Sequence, residues 1–226
     1  MQRYVKNMNM LSIEENKKLK KFKVCVVGCG GLGGYIVEML VRLGIGHITV
    51  VDYDKFDETN LNRQLLSDVK NLGNLKSEAA KHRAELVNPD IKVETVNKRF
   101  DSKNGEKILK EHDVVIDALD NIETRLLLQE IAKELQIPLV HGAIAGWYGQ
   151  VTTILPGDDT LNRIYDKSQN KGVEEDLGNP SFTPALVASI QVSETLKLLI
   201  TRGDLLRKKL LNINTFDQEY DVIQLS

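Results

Sequence analysis

Cysteine is scarce in this chain: only Cys25 and Cys29 occur in 226 residues. They sit four positions apart in one strand and turn, where an extended backbone cannot meet disulfide geometry. With no second cysteine pair, a four-thiolate zinc site is excluded. Such a chain reads as a resident of a reducing cytoplasm. Long apolar runs are missing too. There is no stretch of roughly eighteen apolar residues, so no membrane span is expected. Residues 1–22, MQRYVKNMNMLSIEENKKLKKF, are polar and lack the apolar core of a signal peptide. Nor does one sign of charge dominate. Thirty Lys and Arg against 32 Asp and Glu leave a net −2, which gives no nucleic-acid footprint. Internal repeats and low-complexity segments are absent.

What is present is a core and a pattern. Hydrophobic residues make up 42% of the chain, enough for one large α/β domain. The organising stretch is KVCVVGCGGLGGYIVEMLVRLGIGHITVVDYD, Lys23 to Asp54. Val24 to Val27 is a short apolar run suited to a buried parallel strand. Gly28, Gly30 and Gly33 form a G-x-G-x-x-G turn, where the backbone must turn sharply and lie close to a phosphate. A helix follows, with Ile36, Leu40 and Leu43 on one face and Gly44 as its stop. Its N-terminus offers unpaired N–H groups and partial positive charge, a ready anion site. The next strand, His47 to Val51, ends at Asp52, an acid suited to a ribose hydroxyl pair. The unit binds a nucleotide without saying which: NAD, FAD, S-adenosylmethionine and ATP all fit it.

Elsewhere the alternation continues. Ser12 and Glu15 form a capping-box pattern, so a short helix is expected toward Lys21, its lysines a solvated face. A long polar connection after Asp52 carries Asn60, Arg63, Gln64 and Lys76. Helices are expected from Ser77 to Val87, from Gly105 to His112 and, capped by Asn121, from Ile122 to Leu135. Strands are expected at Lys92 to Val96, Asp113 to Leu119 and Leu139 to His141. Gly142 to Gly149 reads as a glycine-rich connection, and Gln150 to Leu155 as a further, antiparallel strand. Pro156 to Ser181 has little periodicity. Thr183-Pro184 opens a helix to Ile200, and a closing hairpin pairs Leu210–Asn214 with Val222–Leu225. The fold class is therefore α/β: a Rossmann-like, doubly wound, mostly parallel sheet with an antiparallel extension. The glycine turn, Asp52 and Asp120 all lie at carboxyl ends of strands, so three strand ends converge on one crevice.

Arg63, Lys76, a carboxylate and a helix N-terminus suit a triphosphate with magnesium. A nicotinamide enzyme needs a hydride-side acid or base, and none is evident. The segments VVGCGGLG, VVDYDKFDETNLNRQLL, NLGNLK, VIDALDN and VHGAIAGWYGQ, in that order, resemble the MoeB/ThiF/HesA family, bacterial relatives of ubiquitin-activating enzymes. The resemblance covers Lys23 to about Ile200. It implies a helical segment over 1–22 and one adenylating domain over 23–226, with an ATP-binding part (23–155), a loop (156–183) and a C-terminal helix and hairpin (184–226). It implies ATP and Mg2+ as cofactors and a homodimer. The substrate implied is the C-terminal glycine of a ubiquitin-like sulfur carrier protein ending in Gly-Gly, which is adenylylated with release of pyrophosphate.

Residue by residue, the resemblance assigns Gly28, Gly30, Gly31 and Gly33 to backbone approach, Asp52 to the ribose, and Asn60, Arg63 and Lys76 to the phosphates. Asp54 joins that nucleotide set. Asp120 takes the magnesium and Asn121 fixes the turn beside it. Arg63, Lys76 and Asp120 are the catalytic set. Attack by an already ionised carboxylate needs no general base. Members often hold zinc with two CxxC pairs, and some carry a further cysteine for sulfur handling. This chain has neither, so no zinc is expected and the acyl-adenylate passes to an external sulfur donor, a sulfurtransferase or desulfurase. Where the family has R-Y-x-R, with its second arginine reaching the partner subunit's nucleotide, this chain has RYVK. Lys6 keeps the charge and loses the fork.

Plainer readings stand beside these. Cys29 is a small filler in the turn and Cys25 a core residue. His141 packs at a strand end rather than serving as a base. Arg125 braces the Asn121 turn. Trp147 and Tyr148 either pack at the rim or lie against a carrier's tail. Other functions fit as alternatives: activation of a peptide C-terminus or a tRNA threonylcarbamoyl group, a nucleotide-binding scaffold without turnover, or a dehydrogenase. Thiamine, molybdopterin and cysteine routes all remain open to such a carrier.

Overall fold

The structure, a computed structural model, describes residues 2–165 and 177–225. The reading of 166–176 as part of a long loop lies outside the described residues. A 3-10 turn (Gln2–Asn7) precedes α1 (Ile13–Leu19), whose Ser12–Glu15 capping box is formed on both sides. Then follow β1 (Lys23–Val27), α2 (Gly31–Leu43), β2 (His47–Val51), α3 (Lys76–Val87), β3 (Lys92–Val96), α4 (Gly105–Leu109), β4 (Val114–Asp117) and α5 (Ile122–Glu134). The chain continues with β5 (Leu139–Ala145), β6 (Tyr148–Ile154), α6 (Leu161–Ile164), the long helix α7 (Phe182–Ile200), β7 (Lys209–Asn214) and β8 (Glu219–Gln224).

All eight strands form one sheet in the order β3-β2-β1-β4-β5-β6-β7-β8. The first five are parallel and the last three antiparallel. Alternate residues of β1 serve opposite faces, as a two-residue period requires. Val24 and Val26 join one buried cluster with Ile36 and Leu40 of α2, Ala80 of α3 and Val187 of α7. Cys25 and Val27 join another with Leu109 of α4, Leu128 of α5 and Leu161 of α6. The sheet is thus doubly wound. Strand order reverses between β1 and β4, and such a reversal opens a crevice at the strands' carboxyl ends.

The structure revises the glycine-rich stretch. β5 continues through Ala145, and a two-residue turn, Gly146–Trp147, joins it to β6. The glycines of this hairpin admit α7. A Cβ on Gly142 would lie 2.4 Å from Gln191, and one on Gly149 would lie 2.4 Å from Val187. Close helix-on-sheet packing, not looseness, explains them. Four boundaries also move. α4 stops at Leu109, where Lys110 leaves the helix and Glu111 takes φ +71°. β4 ends at Asp117, whose carboxylate turns to accept Leu119 N–H. α7 begins at Phe182 because the Thr183 hydroxyl donates to Gly146 O at 2.6 Å instead of capping. β8 begins at Glu219, paired with Asn214. No described helix is long and apolar enough to cross a membrane.

Candidate active site

The crevice at the β1/β4 switch has a volume of about 380 Å³. The glycine turn forms its floor. Gly28 sits at φ +97°, and a Cβ there would lie 2.4 Å from Ala118 O. The turn thereby seats directly on the end of β4. A Cβ on Gly33 would lie 2.0 Å from Gly28 O, so α2 can start only where this residue has no side chain. Gly30 and Gly31 differ. A Cβ on either clears its nearest protein neighbour by more than 3.5 Å, and both line the crevice. Their bareness keeps room for a ligand at the α2 N-terminus, which favours anions.

Asp52 follows β2. Its carboxylate accepts Cys29 N–H at 2.6 Å and Asp54 N–H at 2.7 Å. Burial raises its pKa, outweighing those hydrogen bonds and the nearby Lys76 charge. The polar connection then returns to the crevice with Arg63 and Gln64, and α3 opens on Lys76. Lys76 is 7% exposed, and its ammonium lies 3.2 Å from Asp54 Oδ2. Arg63 Nη1 donates to Thr59 O at 2.9 Å and Asn62 Oδ1 at 2.8 Å, which steadies the guanidinium beside the opening. Across the crevice, the turn after β4 presents Asp120, exposed, and Asn121. Asn121 caps α5 by accepting Thr124 N–H at 2.9 Å.

This array attracts a polyanion: Arg63, Lys76 and a helix N-terminus face a glycine floor. The buried-side carboxylate of Asp52 lies on one side, and the exposed carboxylate of Asp120, which accepts Asn121 Nδ2–H at 3.3 Å, on the other. The described residues contain no group of three or more His, Cys, Asp or Glu fit to hold a metal alone. Magnesium is usually held by only one or two carboxylates plus substrate phosphates. Asp120 fits that part.

The ThiF family model matches residues 3–226. The chain belongs to the ThiF family. It is 34% identical over 219 residues to the SAMP-activating enzyme E1 of Haloferax volcanii, covering 96% of this chain and 81% of that one. It is 34% identical over 216 residues to the sulfur carrier protein adenylyltransferase of Thermus thermophilus, covering 92% and 80%. In fold it matches a crystal structure of E. coli MccB with ATP, at a TM-score of 0.83 and 18% identity, covering 99% and 72%.

Within this ThiF-family chain, Gly28, Gly30, Gly31, Asp52, Asp54, Arg63, Lys76, Asp120 and Asn121 all line one crevice. Gly33 supports it from behind. Asn60 is placed otherwise. Although expected at the phosphates, it is 5% exposed and outside the crevice lining. Its side chain closes a capping box with Asp57, while its carbonyl accepts Arg63 N–H at 3.1 Å and Gln64 N–H at 2.9 Å. Asn60 therefore shapes the segment that delivers Arg63. Lys6 stands at the far end of α2. Its neighbour Tyr4 packs on Gly44, and Asn7 donates to Leu43 O at 3.5 Å. Thirteen residues of helix separate the two ends by about 18 Å, so Lys6 cannot serve its own crevice.

Sequence reasoning passed over Lys98 and Arg99, which line the crevice from the end of β3. The strand-end rule would have found them, but they belong to no motif. Arg125 does brace the turn: Nη2 donates to Leu119 O at 2.6 Å. Cys25 and Cys29 are fully buried, and desolvation drives both thiol pKa values well above the ordinary range. Trp147 is half exposed and packs against Phe182 and Phe216, with ring centroids 4.9 and 5.6 Å away.

Proposed function

We propose that this ThiF-family adenylyltransferase uses ATP to adenylylate the C-terminal glycine of a ubiquitin-like sulfur carrier protein. The observation that carries the reading is the convergence of Arg63, Lys76, Asp52 and Asp120 on one crevice floored by Gly28–Gly31. The names of the relatives support the reaction class: one activates SAMP and another adenylylates a sulfur carrier protein.

The α2 N-terminus and bare glycines seat the phosphates, and Asp52 accepts from the ribose hydroxyls. A carrier carboxylate then attacks the α-phosphorus in line. One C–O–P bond forms, the bond from the α-phosphorus to the bridging oxygen breaks, and pyrophosphate departs with the electron pair. No proton moves, since the attacking group is already ionised. Arg63 and Lys76 meet the charge that builds on phosphate oxygens. Asp120 would hold magnesium, which when bound neutralises phosphate charge and orients the leaving group. The sulfur would come from an external donor, because both thiols of the chain are sealed in the interior. A homodimer is part of this reading, with Lys6 reaching the partner's crevice.

The test is ATP–pyrophosphate exchange with small Gly-Gly-ending proteins. Exchange should require one of them and fall at least about 100-fold in Arg63→Ala and Asp120→Ala, the scale of losing one electrostatic contact to a transition state. Exchange indifferent to both substitutions would overturn the assignment. Exchange that needs a different carboxylate would overturn the substrate and leave the chemistry standing.

A further inference from the structure

Beneath the turn that carries Asp120 lies a buried polar cluster that the proposed reaction does not use. Asp117 and His141 are 0% exposed and Arg125 is 3% exposed. Placing such groups in a core costs desolvation, and apolar side chains would fill the space between β4 and β5 as well. The hydrogen bonds show what the polar groups do instead. Asp117 Oδ1 accepts Leu119 N–H at 2.9 Å, and Arg125 Nη2 donates to Leu119 O at 2.6 Å. Both polar atoms of the residue before Asp120 are thus gripped, one from each side.

The two arms then meet. Asp117 Oδ2 lies 2.7 Å from His141 Nδ1, and His141 Nε2 lies 3.0 Å from the Tyr165 hydroxyl. Arg125 Nη1 donates to the same hydroxyl at 3.2 Å. The path Leu119–Asp117–His141–Tyr165–Arg125–Leu119 is a closed ring. Its protons follow from the carboxylate. Asp117 requires the N–H on Nδ1, so Nε2 accepts from Tyr165, which in turn accepts from Arg125. Burial lowers the His141 pKa despite Asp117, which agrees with a neutral imidazole. The hydroxyl of Tyr165, the residue that follows α6, joins both arms, which also approach each other directly where Arg125 Nε lies 3.9 Å from Asp117 Oδ2. Gln150 Nε2 donates to that hydroxyl at 2.7 Å from outside the ring.

We infer that the Tyr165 hydroxyl is a positioning group for Asp120, acting through this ring on the Leu119 turn. The inference rests on Asp120 as the magnesium-side carboxylate. Hydrogen-bond networks of this kind fix geometry more than they add stability, and a turn held by only one arm lets its carboxylate drift.

The experiment measures ATP affinity by titration calorimetry, once with Mg2+ and once with EDTA. The ratio of the two dissociation constants is the magnesium gain. Asp120→Asn should cut the gain at least threefold. Tyr165→Phe should cut it similarly while leaving the metal-free affinity within twofold. The double variant should lose no more than Asp120→Asn alone, since the two act through one carboxylate. Arg125→Lys, which shortens the other arm, should also lower the gain and serves if Tyr165→Phe folds poorly. Gln150→Met removes a hydrogen bond to the same hydroxyl outside the ring and should leave the gain unchanged. A wild-type gain in folded Tyr165→Phe, a full additive loss in the double variant, or an equal loss in Gln150→Met would each overturn the inference. A wild-type gain in Asp120→Asn would overturn the magnesium role of Asp120 itself, and the positioning role with it.

Discussion

Replacing Asp54 by Asn separates two jobs that one carboxylate could hold. Asp54 lines the crevice, yet its visible contact is the ion pair with Lys76, at 3.2 Å. The lysine side chain is 9% exposed and the aspartate side chain 46% exposed. The pair therefore lies between a surface bridge, worth at most about 1 kcal/mol, and a buried one, whose breakage costs about 3–5 kcal/mol. Solvent on the aspartate side places the loss near the low end, about 1–2 kcal/mol. For a chain of this length that lowers Tm by about 4 °C in the absence of nucleotide. With ATP bound the sign reverses. Phosphates can take over the lysine, and a neutral amide no longer competes with them or repels them. Recovering about 1 kcal/mol on binding tightens Kd about fivefold. Thermal melting with and without Mg·ATP, together with calorimetry, reads both effects. An unchanged nucleotide-free Tm with weaker ATP binding would refute this reasoning, and Asp54 would then be a nucleotide ligand in its own right.

Two further outcomes follow from the same crevice. Gly33→Ala puts a methyl group 2.0 Å from Gly28 O, where only backbone could yield. It should cost more than about 2 kcal/mol in denaturant melts and abolish ATP binding. Gly31→Ala meets Pro184 at an ordinary 3.7 Å and should melt like the wild type, so any lost ATP affinity there reports the crevice alone. Asp52 sets a pH dependence. Burial raises its pKa, and only the ionised form accepts from two ribose hydroxyls, so ATP affinity should begin to fall at a higher pH than an ordinary carboxylate would give. Asp52→Asn should bind weakly and flatten that profile in fluorescence or calorimetric titration. The stability linkage has the opposite sign: a carboxyl that keeps its proton more readily folded than unfolded removes stability as pH rises.

Much of the frame was legible because its causes are local. The apolar runs at Val24–Val27 and His47–Val51 have no use except as buried strands, and Gly28 with Asp52 fixes their carboxyl ends. Convergence of the glycine turn, Asp52 and Asp120 followed from their places at strand carboxyl ends. What escaped depends on partners distant in sequence. Gly142 and Gly149 read as loop residues because nothing nearby in the chain reveals that α7 would press on them. Asn60 sits in a motif beside Arg63, and spacing does not show the capping box that it closes with Asp57. Lys98 and Arg99 follow an unremarkable strand. His141 reads from the sequence as a strand-end packing residue, and its hydrogen bonds to Asp117 and Tyr165 leave no local trace. Its tie to Tyr165 crosses 24 positions and two elements, beyond the reach of any periodicity.

The two sealed thiols bear on how this chain delivers what it makes. In the proposed reaction an activated tail would find no exposed thiol on this chain to move to, so the mixed anhydride itself would change hands. Its survival against water then depends on how long the tail stays seated, and the next enzyme has to collect it in place.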